Sequence, residues 1–398
     1  MKRFSKIFML LLLMLGFSKV FAQKYYDDQW KKIVENSKKG AYKSNLPVIL
    51  DIQNQAMKEN NTLQLIRALK AEFSIVNRTV DDDQNDAASK FFSKLQQTEG
   101  KLKGEGKLVF KVLLSSFFLD YYNQNSWKIN GRTNINSQDL SQIETWSKLD
   151  FKNYLTKTYQ ELDQQKPEMK AVALEKYKEV FSGTKDIAYF PTLFDWYSLK
   201  KISFLADNAL FTKNELAENR VSVNTIFDEL IAKNEGNSRL YFMKEKLVEN
   251  CNFNQCKDRL EQLQNLLKSN VEGDYKVLIM EDIMNELITQ KKNKEAIAVA
   301  AQAKSQYPKS PFLGNIRNKE EQIITPLLNI RYEQQTQSNM PVHLVAEYKN
   351  VSEFSLNIYE VKEDFTSLLQ YIQNSYADIF GRIKKEPGAK GDLSAFRS

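Results

Sequence analysis

The sequence predicts a mainly α-helical chain: an irregular array of antiparallel helical hairpins followed by an incomplete antiparallel β-sandwich. Three observations lead there. Hydrophobic residues make up 42% of the 398 positions while Gly and Pro number only 13 and 8, a composition of long regular elements with few breaks. Apolar residues recur at helical spacing from about Tyr25 to Ile324, and the period changes to two after Pro326.

Residues 1–22 form the first element, a signal peptide. Lys2, Arg3 and Lys6 are the positive start, Ile7 to Phe17 is an apolar run, and Val20-Phe21-Ala22 offers compact side chains for cleavage between Ala22 and Gln23. The run is shorter than the roughly twenty apolar residues a spanning helix requires. No stable membrane span is therefore expected after cleavage, and the expected location is the periplasm or envelope of a Gram-negative type of cell. A lipid-modified N-terminus is not offered, because no Cys follows the run.

Charge removes nucleic acid as a partner. Of the net +7, four positive charges come from Lys2, Arg3, Lys6 and Lys19, leaving +3 for the chain from Gln23. Its Lys and Arg alternate with Asp and Glu and form no basic stripe.

Residues 23–324 read as the helical region. Ile66, Leu69, Phe73 and Val76 lie three, four and three apart, on one stripe opposite Gln64, Lys70 and Asn77. The same spacing recurs at Leu46, Ile49, Leu50, Ala56 and Met57; at Ile226, Phe227, Leu230 and Ile231; at Leu260, Leu263 and Leu267; and at Met280, Ile283, Met284, Leu287 and Ile288. Lys58 to Thr62, Asn234 to Ser238 and Lys291 to Lys294 are polar breaks of hairpin length. The last hairpin, Val277 to Gln290 with Lys294 to Gln306, carries Ala296, Ala300 and Ala301 for close approach and stops at Tyr307-Pro308. That pattern resembles a tetratricopeptide-like repeat, although no second copy recurs at a fixed period.

Residues 325–382 follow a strand grammar. Val342, Leu344, Ala346 and Tyr348 alternate with His343, Val345, Glu347 and Lys349; after Asn350-Val351-Ser352, Phe354, Leu356 and Ile358 alternate again. With Leu327 to Glu333 these give three strands, too few to close a sandwich. Residues 383–398, with Pro387, Gly388 and Gly391, read as an irregular tail.

No catalytic, cofactor-binding or metal-ligating set is expected, and no enzyme. His343 is the only histidine and falls in a predicted strand, which excludes a cluster of histidine ligands. Asp81 to Asp86 lacks the Gly and Glu of a calcium loop, having Asp86 and Phe92 at those places, and reads as a linker. Lys101 to Lys107, with Gly100, Gly104 and Gly106 nearby, lacks the strand and the Gly-Lys-Ser/Thr ending of a phosphate loop, and reads as a second linker. Tyr121, Tyr122, Trp127 and Trp146 read as core aromatics. Cys251 and Cys256, five residues apart, can close a small loop if they lie in a polar break, whereas on a continuous helix they would diverge; both states stay open.

Several segments carry a resemblance. They are Tyr26-Asp27-Asp28-Gln29-Trp30-Lys31-Lys32, Ala56 to Asn61 followed by Gln64 to Leu69, Tyr121 to Ile129 with Thr133, Ile143-Glu144-Thr145-Trp146, and Phe190-Pro191-Thr192-Leu193-Phe194-Asp195. In this order they resemble the N-terminal helical region of the α2-macroglobulin-like proteins of Bacteroidetes. Pro341 to Val351 and Phe354 to Val361 resemble the first macroglobulin-type β-sandwich of that family, and the similarity runs to about Arg382. Family members are several times longer and have a proteinase-cut bait segment and, in many, a Cys-Gly-Glu-Gln thioester. Neither is found here, and Asn250 to Cys256 lacks the Gly-Glu-Gln. The resemblance implies a truncated or fragmentary member, or half of a split gene: the N-terminal part of an exported endopeptidase inhibitor, its partner the remaining macroglobulin domains. A free-standing periplasmic module that binds another envelope protein is the second expectation.

Overall fold

The structure is a computed structural model and describes residues 24–79, 86–137, 139–181, 186–333, 340–357 and 370. The expected signal peptide with its Ala22/Gln23 cleavage site, most of the acidic linker, Ile358 and the irregular tail lie outside the described residues. The chain divides into two compact units after Glu320.

In the first unit α1 (24–38) docks through hydrogen-bonding aromatic side chains. Tyr26 is buried and its hydroxyl donates to Glu59 at 2.7 Å, and Trp30 Nε1 donates to Gln64 at 2.7 Å beneath the Arg67 guanidinium. The hairpin α2 (Asn45–Lys58) and α3 (Thr62–Thr79) follows, with Ile49, Ala56, Ile66, Leu69 and Phe73 buried as their spacing predicts, while Leu50 is exposed. Next come α4 (Ala87–Lys101) and α5 (Gly104–Ile129). The expected Lys101–Lys107 linker is therefore wrong, since only Leu102 and Lys103 separate the two helices. Gly104 takes the left-handed backbone conformation at φ 55° where α5 begins, and Gly106 serves packing: a Cβ there would stand 2.6 Å from Thr62 Cγ2, so α5 and the start of α3 approach where only a hydrogen fits.

Helix α5 is the axis of this unit. Val109, Val112, Leu113, Phe117, Phe118 and Tyr122 are all buried, on every side, because α3, α4, α6 (Lys148–Asp163) and α8 (Leu193–Leu205) all pack on it. Aromatic rings fill the junctions. Phe73 stacks on Phe117 at 4.7 Å between centroids, Phe92 on Phe118 at 4.4 Å, and Trp146 meets Phe151 edge to face at 5.2 Å. Between α6 and α8 lie the short α7 (Lys166–Ala171) and two single 3-10 turns.

The starts of α6, α8 and α9 (Lys213–Lys233) are set by side-chain caps. Ser147 and Asp150 make a reciprocal capping box on α6, Thr192 and Asp195 on α8, and Thr212 and Glu215 on α9. The last one gives a pH prediction. Hydrogen bonds from Lys152 and then Thr212 hold the Glu215 carboxyl at about 2, below the ordinary 4.5. A lowered folded-state value stabilises above the unfolded one and is lost on acidification, so the advantage of the native chain over Glu215→Gln should shrink between about pH 6 and about pH 2, as read by thermal unfolding.

The remaining helices pair as hairpins: α9 with α10 (Gly236–Asn254), α10 with α11 (Arg259–Leu267), α11 with α12 (Lys276–Thr289), and α12 with α13 (Asn293–Gln306); α14 (Leu313–Ile324) ends the array. The α12–α13 turn falls within one residue of its expected place. Ala296, Ala300 and Ala303 are buried at the contact; Ala301, expected there, is exposed, because i, i+4, i+7 is the helical stripe and Ala301 lies beside it.

The second unit contains β1 (Leu327–Tyr332) and β2 (Leu344–Lys349), antiparallel, with Leu328 opposite Tyr348, Ile330 opposite Ala346 and Tyr332 opposite Leu344. Two strands of the incomplete sheet are present. The third, expected at Phe354 and Leu356, is not formed among the described residues: both side chains are exposed and the backbone there joins no ladder. No described helix is long and apolar enough to cross a membrane.

Candidate functional site

Side chains alternate across a strand, so the register sorts this sheet into two faces. One face is mixed, carrying Leu327, Asn329, Arg331, Val345, Glu347 and Lys349, with both Asn329 and Arg331 hydrogen-bonded to the Glu347 carboxylate. The other carries Leu328, Ile330, Tyr332, Leu344, Ala346 and Tyr348, an apolar surface in which Tyr332 and Tyr348 are 64% and 65% exposed. A two-stranded ribbon with a bare apolar face has the shape of half a sandwich. His343 precedes β2 by one residue and is exposed; its backbone exchanges hydrogen bonds with Glu333, and it lies outside the strand in which it was expected. Lys349 and Asn350 return to the carbonyls of Gln322 and Ile323, fixing the end of β2 to the last turn of α14.

Cys251 and Cys256 are joined by a disulfide with Cα atoms 4.7 Å apart. The pairing is possible because α10 ends between them. Gln255 takes the left-handed conformation at φ 51°, and Cys256 N donates to Cys251 O at 3.1 Å, folding the chain back over the last turn. A thiol reagent should therefore label neither cysteine in the native oxidised protein and both after reduction, with mass spectrometry as the readout.

Of the four aromatics expected in the core, Tyr121, Tyr122 and Trp146 are buried and Trp127 is not. Trp127 is 75% exposed because it falls on the outward side of the last turn of α5, where Lys128 lies over its ring at 4.9 Å. Among the described residues no group of three or more His, Cys, Asp or Glu is placed to hold a metal ion.

A cleft of about 410 Å³ opens between α3, α5, α8 and α10. Phe117, Phe181, Phe190 and Trp196 make its apolar wall, and Lys70, Asp120, Asp186 and Lys200 bring charge into it. Burial lifts the Asp120 carboxyl above its ordinary range, with Lys200 and Lys70 pulling the other way, and burial lowers the Lys70 ammonium. Lys70 Nζ donates to the Val180 carbonyl at 2.7 Å.

Searches of protein-family models, curated proteins and solved structures find no match to this chain.

The apolar sheet face was visible in the sequence as alternation. The cleft was not, because its charged residues come from positions 70, 120, 186 and 200 and share no local pattern. One signal was present: Asp120 is the single charged residue from Val112 to Tyr122, inside an otherwise apolar and hydroxyl-bearing stretch. A lone carboxylate there marks a point where the helix surface is reached by water or by a partner of opposite charge.

Proposed function

We propose that this chain is the N-terminal part of an exported α2-macroglobulin-like endopeptidase-inhibitor protein. In this reading the helical unit is an accessory or tethering module, not an enzyme, and has no inhibitory activity by itself. The observation that carries it is the sheet face of Leu328, Ile330, Tyr332, Leu344, Ala346 and Tyr348, fully patterned for burial and left bare. Such a face needs an opposing sheet, which further macroglobulin-type domains would supply. The ordered series of family-like segments in the helical region supports the same reading. Trapping a proteinase requires a bait cut and a collapse of domains around the attacker, steps for which nothing in the helical hairpins provides the parts.

Limited proteolysis and inhibition assays test it. Early cuts are expected after about Gln322, leaving a resistant helical fragment, because hairpin arrays hold through near-neighbour contacts while the bare sheet does not. The purified chain should leave an endopeptidase fully active. Stoichiometric inhibition, or equal protection of the residues from Leu327 onward, would overturn the proposal.

A second reading, a periplasmic tetratricopeptide-like module that binds an envelope protein, is favoured by a groove of about 680 Å³ lined by Gln264, Leu267, Ile283, Val299, Gln302 and Gln306 of α11 to α13. The reading frame that follows separates the two. Further β-sandwich domains with a thioester support the inhibitor, and a stop before unrelated genes supports the module.

A further inference from the structure

The cleft on α5 holds groups whose bonding is incomplete. Asp120 accepts no hydrogen bond and enters no ion pair among the described residues; Lys70 and Lys200 influence it only through space. Asp120 is half-buried, and carboxylates withdrawn that far from solvent are usually given protein donors. Lys200 is the complementary case. Its ammonium lies 5.4 Å from the centroid of the Trp196 ring and, among the described residues, is hydrogen-bonded to no side chain or carbonyl. The cleft thus presents one acceptor and one donor that protein groups leave unused, beside an aromatic wall.

That combination restricts the charge of an occupant. A simple cation would meet Asp120 but be repelled by Lys70 and Lys200; a simple anion would meet Lys200 but be repelled by Asp120 and Asp186. A molecule with both charges, neutral overall, satisfies both groups. The remaining surface asks for a flat or bulky apolar group against Phe117, Phe190 and Trp196. The volume of about 410 Å³ falls in the range of small-ligand sites and well below that needed for a folded partner.

We propose that this cleft binds a zwitterionic amino acid or dipeptide with an aromatic or large aliphatic side chain, its ammonium on Asp120, its carboxylate on Lys200 and its side chain on the aromatic wall. The site belongs to the helical unit and stands apart from the proposed role of the sheet.

Calorimetric titration of the purified chain tests this with four probes: phenylalanine, the dipeptide phenylalanyl-leucine, N-acetylphenylalanine, which lacks the ammonium, and phenylalaninamide, which lacks the carboxylate. Saturable one-to-one binding is expected for at least one of the two zwitterions, and the tighter of them assigns the size of the natural ligand. The two blocked compounds should each bind at least about tenfold more weakly. Asp120→Asn should remove the advantage of the free ammonium, and Lys200→Met that of the free carboxylate, with helical content unchanged by circular dichroism. If Asp120→Asn fails to fold, Lys200→Met and the blocked probes decide. No saturable heat from either zwitterion up to about 10 mM would overturn the proposal. So would equal binding of free and blocked probes, or native affinity in both variants.

Discussion

Replacing Asp195 with alanine is expected to destabilise the helical unit by about 3–5 kcal/mol, the range for leaving a buried partner charge uncompensated. Asp195 is 0% exposed. Its carboxylate accepts from Thr192 N at 2.8 Å and Thr192 Oγ1 at 2.7 Å, closing the α8 cap, and from Lys233 Nζ at 2.9 Å and Asn234 Nδ2 at 2.8 Å at the end of α9. One side chain thus ties the start of one helix to the end of the next. Alanine would open the cap, strand the Lys233 ammonium and leave the Asn234 amide with only its bond to Leu230 O. Asp195→Asn keeps the size and one acceptor and should lose less. Denaturant unfolding of the two variants checks the order, and a loss below about 1 kcal/mol for alanine would show that water replaces the carboxylate.

The second large effect is expected at Trp146, where alanine should cost about 3–5 kcal/mol through the cavity it leaves. The ring is fully buried against Phe151 and Tyr154, with Nε1 donating to Asp139 O at 3.2 Å, and the Trp146 carbonyl accepts from Arg132. Trp127→Ala is the matched control: the same residue type, removed from an exposed position, should change stability by no more than about 0.5 kcal/mol. Comparable losses in the two variants would mean that Trp127 is covered in solution.

These two tryptophans also mark where sequence reasoning reached its limit. An aromatic in a helical array is usually core, and composition cannot say which side of the last turn of α5 faces out. Elements with a stripe were legible: the hairpin of α12 and α13 lies within one residue of its expected ends because Met280, Ile283, Met284 and Leu287 face one way. Helix α5 had no stripe between Leu108 and Tyr122, where neighbours pack around it, and periodicity is silent about a stretch without a polar face. The two glycines at its start suggested a loop, and only the approach of Thr62 explains Gly106. Alternation at Leu344, Ala346 and Tyr348 gave the apolar face of β2, yet the same pattern at Phe354 and Leu356 forms no strand among the described residues, because a strand also needs a neighbour to bond with. Asp120 and Lys200 line one cleft only through the packing of α5 on α8 and could not be brought together from their positions.

The contact between Thr62 and Gly106 has a consequence for anyone varying this protein. Any side chain at 106 collides with the threonine methyl and hydroxyl, the hydroxyl 2.9 Å from the added carbon, so alanine scanning would score position 106 as intolerant. The intolerance belongs to the pair. With glycine at 62 the space opens, and Gly106→Ala becomes an ordinary helix substitution, favourable in propensity by roughly 1 kcal/mol. Libraries that randomise one position at a time would miss every such combination, and divergent copies of this sequence should exchange bulk between 62 and 106 as one linked trait.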